Sequence, residues 1–234
     1  MKKYLLLFLL LFFIISLVQS IEAKSIGREL PGFNFKVEGG PSLGLLNLNL
    51  DDLNETLTNN EFAALSDNIF LFGGEGIAGR KLGNRYGIFR QSGSTVSRQS
   101  DKRAELDITF AGLLYEKGIY SRDGIDLSLG CMIGRGRMEL ALSSDKPNNF
   151  EGIVGEVGEG KHDSVLMEKS FAALMPRVKG QYALKNLVNI GVSAGYLLSH
   201  DLGGGWEIAG NSVSGGPLSR FGALNLSVKL SFGF

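Results

Sequence analysis

Leu224-Asn225-Leu226-Ser227-Val228-Lys229-Leu230-Ser231-Phe232-Gly233-Phe234 alternates without a break between apolar and polar or small residues. Successive side chains of a strand point to opposite faces, so this predicts a strand with one oily and one polar face. Upstream, Val188, Ile190, Val192, Ala194 and Tyr196 alternate with Asn189, Gly191, Ser193 and Gly195. Ala104, Leu106, Ile108, Phe110, Gly112 and Leu114 alternate with Arg103, Glu105, Asp107 and Thr109. Ile125, Leu127, Leu129, Cys131 and Ile133 share one parity, but Met138, Leu140 and Leu142 take the other. A bulge or kink at Gly134-Arg135-Gly136 is predicted to reset the phase. Pro176 predicts a similar break, with Val178, Gly180 and Tyr182 facing oil beyond it and Arg177, Lys179 and Gln181 facing away.

With weaker segments added, about eight strands emerge, near 43–50, 68–78, 84–94, 102–115, 124–143, 164–182, 187–198 and 220–234. Phe33 to Val37 also alternates and either extends the first strand or adds one, giving a range of about eight to ten. Connectors 79–83, 116–123 and 183–186 are short, whereas 51–67, 144–163 and 199–219 are long. Between Asp51 and Leu65 the pattern turns helical, with Leu53, Leu57, Ala64 and Leu65 on one side and Asp51 or Asp52 suited to the cap. One short helix in the first long loop is expected.

Met1-Lys2-Lys3, the apolar run Tyr4 to Val18 and the small, polar segment to Ala23 make residues 1–23 read as a secretory signal peptide, cleaved after Ser20 or Ala23. The apolar run is too short to span a bilayer as a helix. The single cysteine, Cys131, lies far from that site, which argues against a lipid-anchored lipoprotein and excludes an internal disulfide. Zero formal net charge gives no sign of a nucleic-acid partner. Glycine, 33 of 234 residues, is about twice its usual share of roughly 7% and fits strands and turns.

The terminal alternation ending in Phe234, with Leu230 and Phe232 before it, resembles the last-strand assembly signal of Gram-negative outer-membrane β-barrels. That resemblance implies an all-β, antiparallel transmembrane barrel over 43–234 with residues 24–42 as a periplasmic segment or strand extension. It also implies outer-membrane lipid and the barrel assembly machinery as partners. The even strand count and the alternation of short and long connectors, broken only by the modest connector 95–101, agree with it, placing both chain ends in the periplasm.

If every oily face looks outward, the lumen receives Asn47, Asn49, Glu105, Asp107, Thr109, Asp126, Ser128, Arg177, Lys179, Asn189, Ser193, Asn225, Ser227 and Lys229. A barrel of about eight strands is just wide enough for side chains to fill it, so Glu105, Asp107, Asp126, Arg177, Lys179 and Lys229 are expected to form one ionic network. The alternative is a narrow solute path. Inward Gly130, Gly191 and Gly195 are expected to make room for long side chains.

Enzymatic motifs are sparse, and no cofactor or metal is implied. Gly74-Glu75-Gly76-Ile77-Ala78-Gly79 has dinucleotide-loop spacing but leads into a second strand rather than a helix. Gly155 to Lys161 has phosphate-loop spacing, yet His162 stands where Ser or Thr belongs. His162 and Ser164 share a strand face and resemble the pair of outer-membrane lipid A deacylases, although Asp163 points the other way. His200 is expected opposite position 169, roughly 23 Å from His162. The leading reading is a non-enzymatic barrel with a structural, adhesive or envelope-stabilising role. Alternatives are a lipid-modifying enzyme using His162 and Ser164, and a soluble periplasmic lipocalin-like binder. Changing Phe232 and Phe234 to Ser should block membrane assembly while export continues; normal surface levels of that variant would show that these rings are ordinary strand residues.

Overall fold

The computed structural model describes residues 35–144, 164–185, 187–213 and 216–233. Strands β1 (Phe35–Leu48), β2 (Asn68–Arg80), β3 (Asn84–Gln99), β4 (Lys102–Arg122), β5 (Ile125–Ser144), β6 (Ser164–Lys185) and β7 (Val188–Asp201) are joined by β10 (Gly222–Gly233), with all neighbours antiparallel. The sheet order β5-β4-β3-β2-β1-β10-β7-β6 is closed by pairing of β5 with β6, which makes an eight-stranded barrel. Short β8 (Trp206–Ile208) and β9 (Asn211–Val213) form a hairpin beside β6. The Phe35 to Val37 segment belongs to β1 itself.

Glu38 of β1 lies opposite Gly233 of β10, so both ends of the barrel chain meet at one rim. That rim carries the tight turns, including Asp123-Gly124, where positive φ at both residues suits a two-residue hairpin. The opposite rim carries the long connections after β1, β5 and β7, and also the short turn at Ser100 and Asp101, because β3 and β4 run further than their apolar patterns foretold.

Side-chain parity is constant through each barrel wall, but its chemistry reverses with height. Toward the rim of the chain ends, Phe35, Val37, Leu43, Ile88, Leu113, Ile133, Val192 and Phe232 face outward and are exposed. Exposures of 72% for Leu113 and 80% for Phe70 exclude these residues from any core. The outward apolar run from Phe35 to Leu45 on β1, or Ile125 to Ile133 on β5, matches the roughly 9–11 residues a tilted strand needs to cross hydrocarbon. This belt is what makes the barrel membrane-spanning. Beyond it, Asn47, Ser94, Asp107 and Arg137 are exposed and face outward, as do the apolar Val96 and Leu166, while Leu46, Leu48, Ile69, Leu106, Ile108, Phe110, Met138, Leu140 and Phe171 are buried inside.

Several expectations are corrected by this reversal. The apolar faces of β4 and of upper β1 and β5 point inward, so Asn47, Glu105, Asp107 and Thr109 look out, and Asn49 is likewise exposed. No bulge occurs at Gly134-Arg135-Gly136, where the β4–β5 and β5–β6 registers run unbroken. Pro176 sits in register opposite Cys131 and resets nothing. The register shifts found fall instead near the turns, between Gly118 and Tyr120 and between Ala183 and Lys185. A phase change in the sequence was a change of medium, not of backbone.

The upper core is packed as in a soluble protein. Phe89 stacks on Phe110 with ring centroids 5.9 Å apart, and Phe171 meets Phe221 edge-on at 5.1 Å. The Phe171 ring lies where a Cβ on Gly136 would stand, so glycine is required there. Helix α1 (Asp51–Asn59) closes the top through buried Leu53 and Leu57, and Asn54 brackets Leu65 by accepting from its N–H at 2.8 Å and donating to its carbonyl at 3.0 Å. Asp51 and Asp52 occupy the first turn, where the helix dipole favours acids, rather than the cap, which is Leu50. Ala64 and Leu65 lie beyond the helix.

Phe110→Ala should lower stability by about 3–5 kcal/mol, read from the denaturant midpoint in refolded bilayers. Glu105→Ala should change it by less than about 1 kcal/mol. Equal losses would place Glu105 in the interior after all.

Candidate functional site

The barrel interior within the apolar belt holds one connected ionic cluster. Glu38 accepts from Lys179 Nζ at 2.9 Å and from Gln181 Nε2, and lies 3.4 Å from the ammonium groups of both Lys229 and Lys36. Glu75 accepts from Arg177 at 2.6 Å, Lys229 at 3.1 Å and Lys179 at 3.2 Å. Glu116 stands 3.3 Å from Lys179 and 3.4 Å from Arg177, and accepts from Ser128 Oγ at 3.2 Å. Arg85 binds both oxygens of Asp126, at 2.7 and 2.6 Å, and Lys36 approaches the same carboxylate at 3.3 Å. The side chains of Glu38, Glu75, Glu116, Arg177 and Lys179 are at most 3% exposed.

Strand alternation places these groups. Lys36 and Glu38 are two apart on β1, Arg177, Lys179 and Gln181 successive inward residues of β6, and Asp126 and Ser128 inward on β5. A Cβ at Gly130 would come 2.7 Å from Glu116 Cγ, so that glycine clears the carboxylate's path. Among the described residues, the cations of the cluster outnumber its carboxylates by one. Charges buried at this level are tolerable because each has two or more opposite partners, apart from Arg85, whose single carboxylate partner Asp126 is supplemented by the carbonyls of Arg80 and Lys81.

A polar transition layer sits above. Asn225 donates to Gln91 Oε1 at 2.9 Å, and Gln91 donates to Ser42 Oγ at 3.3 Å. The Arg177 guanidinium carbon lies 5.5 Å from the centroid of the Phe89 ring, joining the charged layer to the apolar core. The top is sealed by Trp206 of the β8–β9 hairpin, 2% exposed, which donates from Nε1 to the Pro217 carbonyl at 2.9 Å. Lys169 holds that lid in place, donating to the Leu218 carbonyl at 2.9 Å, pairing with Asp201 at 3.1 Å and lying 5.9 Å from the Trp206 ring. At the rim, a 2.7 Å hydrogen bond from Lys102 holds the Glu61 carboxyl below its usual range.

Comparison with known proteins gives structural neighbours only. No protein-family model and no curated protein matches the chain. It is similar to Neisserial surface protein A at 12% identity, covering 84% of this chain and 96% of that one with a TM-score of 0.42. It is also similar to a major outer membrane protein of Thermus thermophilus, at 10% identity, coverages of 86% and 99% and a TM-score of 0.41. A third is the outer membrane protein OprG of Pseudomonas aeruginosa, at 9% identity, coverages of 86% and 95% and a TM-score of 0.39.

Of the residues singled out from sequence, Asp126, Arg177, Lys179 and Lys229 lie in the ionic cluster. Glu105 and Asp107 do not; Glu105 pairs with Arg103 on the outer wall at 2.6 Å, and Asp107 is exposed. Sequence reading missed Lys36, Glu38, Glu75, Arg85 and Glu116. Their signal was present, since Lys36 and Glu38 alternate with Phe35 and Val37, and Glu116 continues the β4 parity of Leu114.

Ser164 is exposed at the outer end of β6, opposite Ser143. His162 and Asp163 lie outside the described residues. His200 is exposed and stands opposite Ala172, not position 169. Among the described residues no cluster of three or more His, Cys, Asp or Glu has metal-binding geometry. Leu230 and Phe232 face outward on β10, and Phe234 lies outside the described residues.

Glu75→Gln should cost about 3–5 kcal/mol in refolded bilayers, because Arg177, Lys179 and Lys229 lose a shared counter-charge. Adding Lys229→Met should recover part of it. A loss under about 1 kcal/mol would show that the cluster is hydrated.

Proposed function

We propose that this chain is a non-enzymatic outer-membrane barrel with a structural, adhesive or envelope-stabilising role, which holds a rigid surface above the outer leaflet. The observation that carries this is the continuation of β3 to β6 past the apolar belt into a section whose outward Ser94, Asp107, Arg137 and Glu168 are polar, over a packed apolar core. An open pore would keep its lumen polar and wide to the mouth. Here ion pairs fill the lower lumen, leucines and phenylalanines fill the upper, and α1 and Trp206 cover the end.

The outer membrane is favoured because closed antiparallel barrels of this size, with their tight turns beside the chain ends, are built for it. The barrel assembly machinery is then a partner, engaging β10 through Leu230, Phe232 and Phe234. Outer-membrane lipid is the other.

Reconstituted in planar bilayers, the protein should show no channel steps above background. In a Cys131→Ser background on intact cells, Ser94→Cys should react with a membrane-impermeant maleimide, and Leu113→Cys should not. Steady ionic conductance, a protected Ser94 position or recovery in the soluble periplasmic fraction would each overturn the reading.

A further inference from the structure

We propose that the outer wall formed by β2 to β5 carries a specific binding site for a phosphorylated, multiply acylated outer-leaflet glycolipid, the lipid A part of lipopolysaccharide. The inference rests on the outer-membrane reading. A shallow depression of about 800 Å³ lies on this wall, floored by Gly74 and Gly76 and walled by Ile88, Leu113 and Ile133. It is groove-like because a Cβ at Gly76 would meet nothing nearer than the Glu38 carbonyl at 4.0 Å. Its walls are 63 to 72% exposed apolar side chains in the membrane belt, so its occupant is hydrocarbon.

Two arginines stand at the top of the groove. Arg90 and Arg135 both pair in register with Ala111, from opposite sides. Their strands are therefore two spacings apart, roughly 10 Å, which lets both guanidinium groups converge on one phosphate. Neither has an acidic partner within salt-bridge distance among the described residues, whereas nearby Arg137 is held by Glu139 at 2.9 Å and by Glu168.

Depth supplies an independent argument. Arg90 lies opposite Gly74, and next along β2, toward the outer rim, come Phe72 and Phe70, 63% and 80% exposed. The arginine thus enters the apolar belt below outward phenylalanines of its neighbour strand. A cation at that depth is costly unless an anion meets it. The arginines lie toward the rim opposite the chain ends, in the outer leaflet, where the phosphates belong to lipid A. The acyl chain then runs down the groove over Gly74 and Gly76.

The test begins with wild type and variants refolded in phosphatidylcholine, where each must give the heat-sensitive gel shift of a closed barrel. Failure of wild type at that step overturns the membrane reading itself. Purified lipid A is then titrated and bound lipid counted by native mass spectrometry. Wild type should retain lipid A, and Arg90→Gln with Arg135→Gln should weaken binding by about tenfold per arginine. Gly76→Leu leaves every charge in place but fills the groove, and should also weaken binding. It keeps the test decisive if the arginine variants fail to fold. Dephosphorylated lipid A should not bind. Unchanged affinity in the folded variants, absence of any adduct on wild type, or equal competition by phosphatidylglycerol would overturn the proposal.

Discussion

In a closed barrel each strand has one face toward the axis and one away from it, and the hydrogen-bonded ladder allows no exchange between them without a bulge. Here the ladders run from hydrocarbon into water with parity intact. The outward face must therefore change from Ile133 to Arg135 to Arg137 along β5, and the inward face from Asp126 to Met132 to Met138. Both changes are imposed by the surroundings. The lower interior has a lipid-facing wall and can hold polar groups only in mutual pairs, while the upper interior has a wet wall and is stabilised by burying apolar area at about 25 cal/mol per Å².

That constraint explains which parts of the sequence were legible. The outward apolar residues of β7 and β10, Ile190 and Val192 or Val228 to Phe232, lie mostly within the belt, so their alternation gave the faces directly. On β4, Ala104 to Phe110 belong to the wet section, and the assumption that oil faces lipid turned them inside out. On β5 both sections occur in one strand, and the swap of apolar parity at Arg135 imitated a bulge. Alternation reports two faces but not which is inside. The inward charges of β1 to β4 were overlooked for a related reason: Lys36 and Glu38 lie side by side on β1, but the partners of Glu75, Arg85 and Glu116 stand on other strands and are reached only across the closed lumen. The hairpin that brings Trp206 over the mouth is held by Lys169, a contact between distant segments that no local pattern records.

The layers depend on one another through their junction. Arg177 belongs to the ionic cluster by its bond to Glu75 and to the apolar core by its approach to Phe89. Gln91 reaches Asn225 and Ser42 at a similar level, satisfying polar groups where full charges would lack partners. An abrupt change from ions to leucines would leave one side of the cluster unpaired. Graded polarity lessens that cost.

The proposed role lies on the exterior of the barrel, and the wet section decides what kind of exterior it is. Loops that stood directly on the membrane would lose conformational freedom on meeting a partner. In this barrel the outward residues of β3 to β6 above the belt, such as Ser94, Asp107, Arg137 and Glu168, are fixed by ladders that continue into the bilayer. α1 is tied down by Leu53 and Leu57 instead of hanging free. Recognition through such a wall needs little ordering, so modest contacts suffice for binding. In the proposed role, the buried leucines and phenylalanines of the upper core would act indirectly, by keeping a polar surface rigid at a fixed height above the lipid.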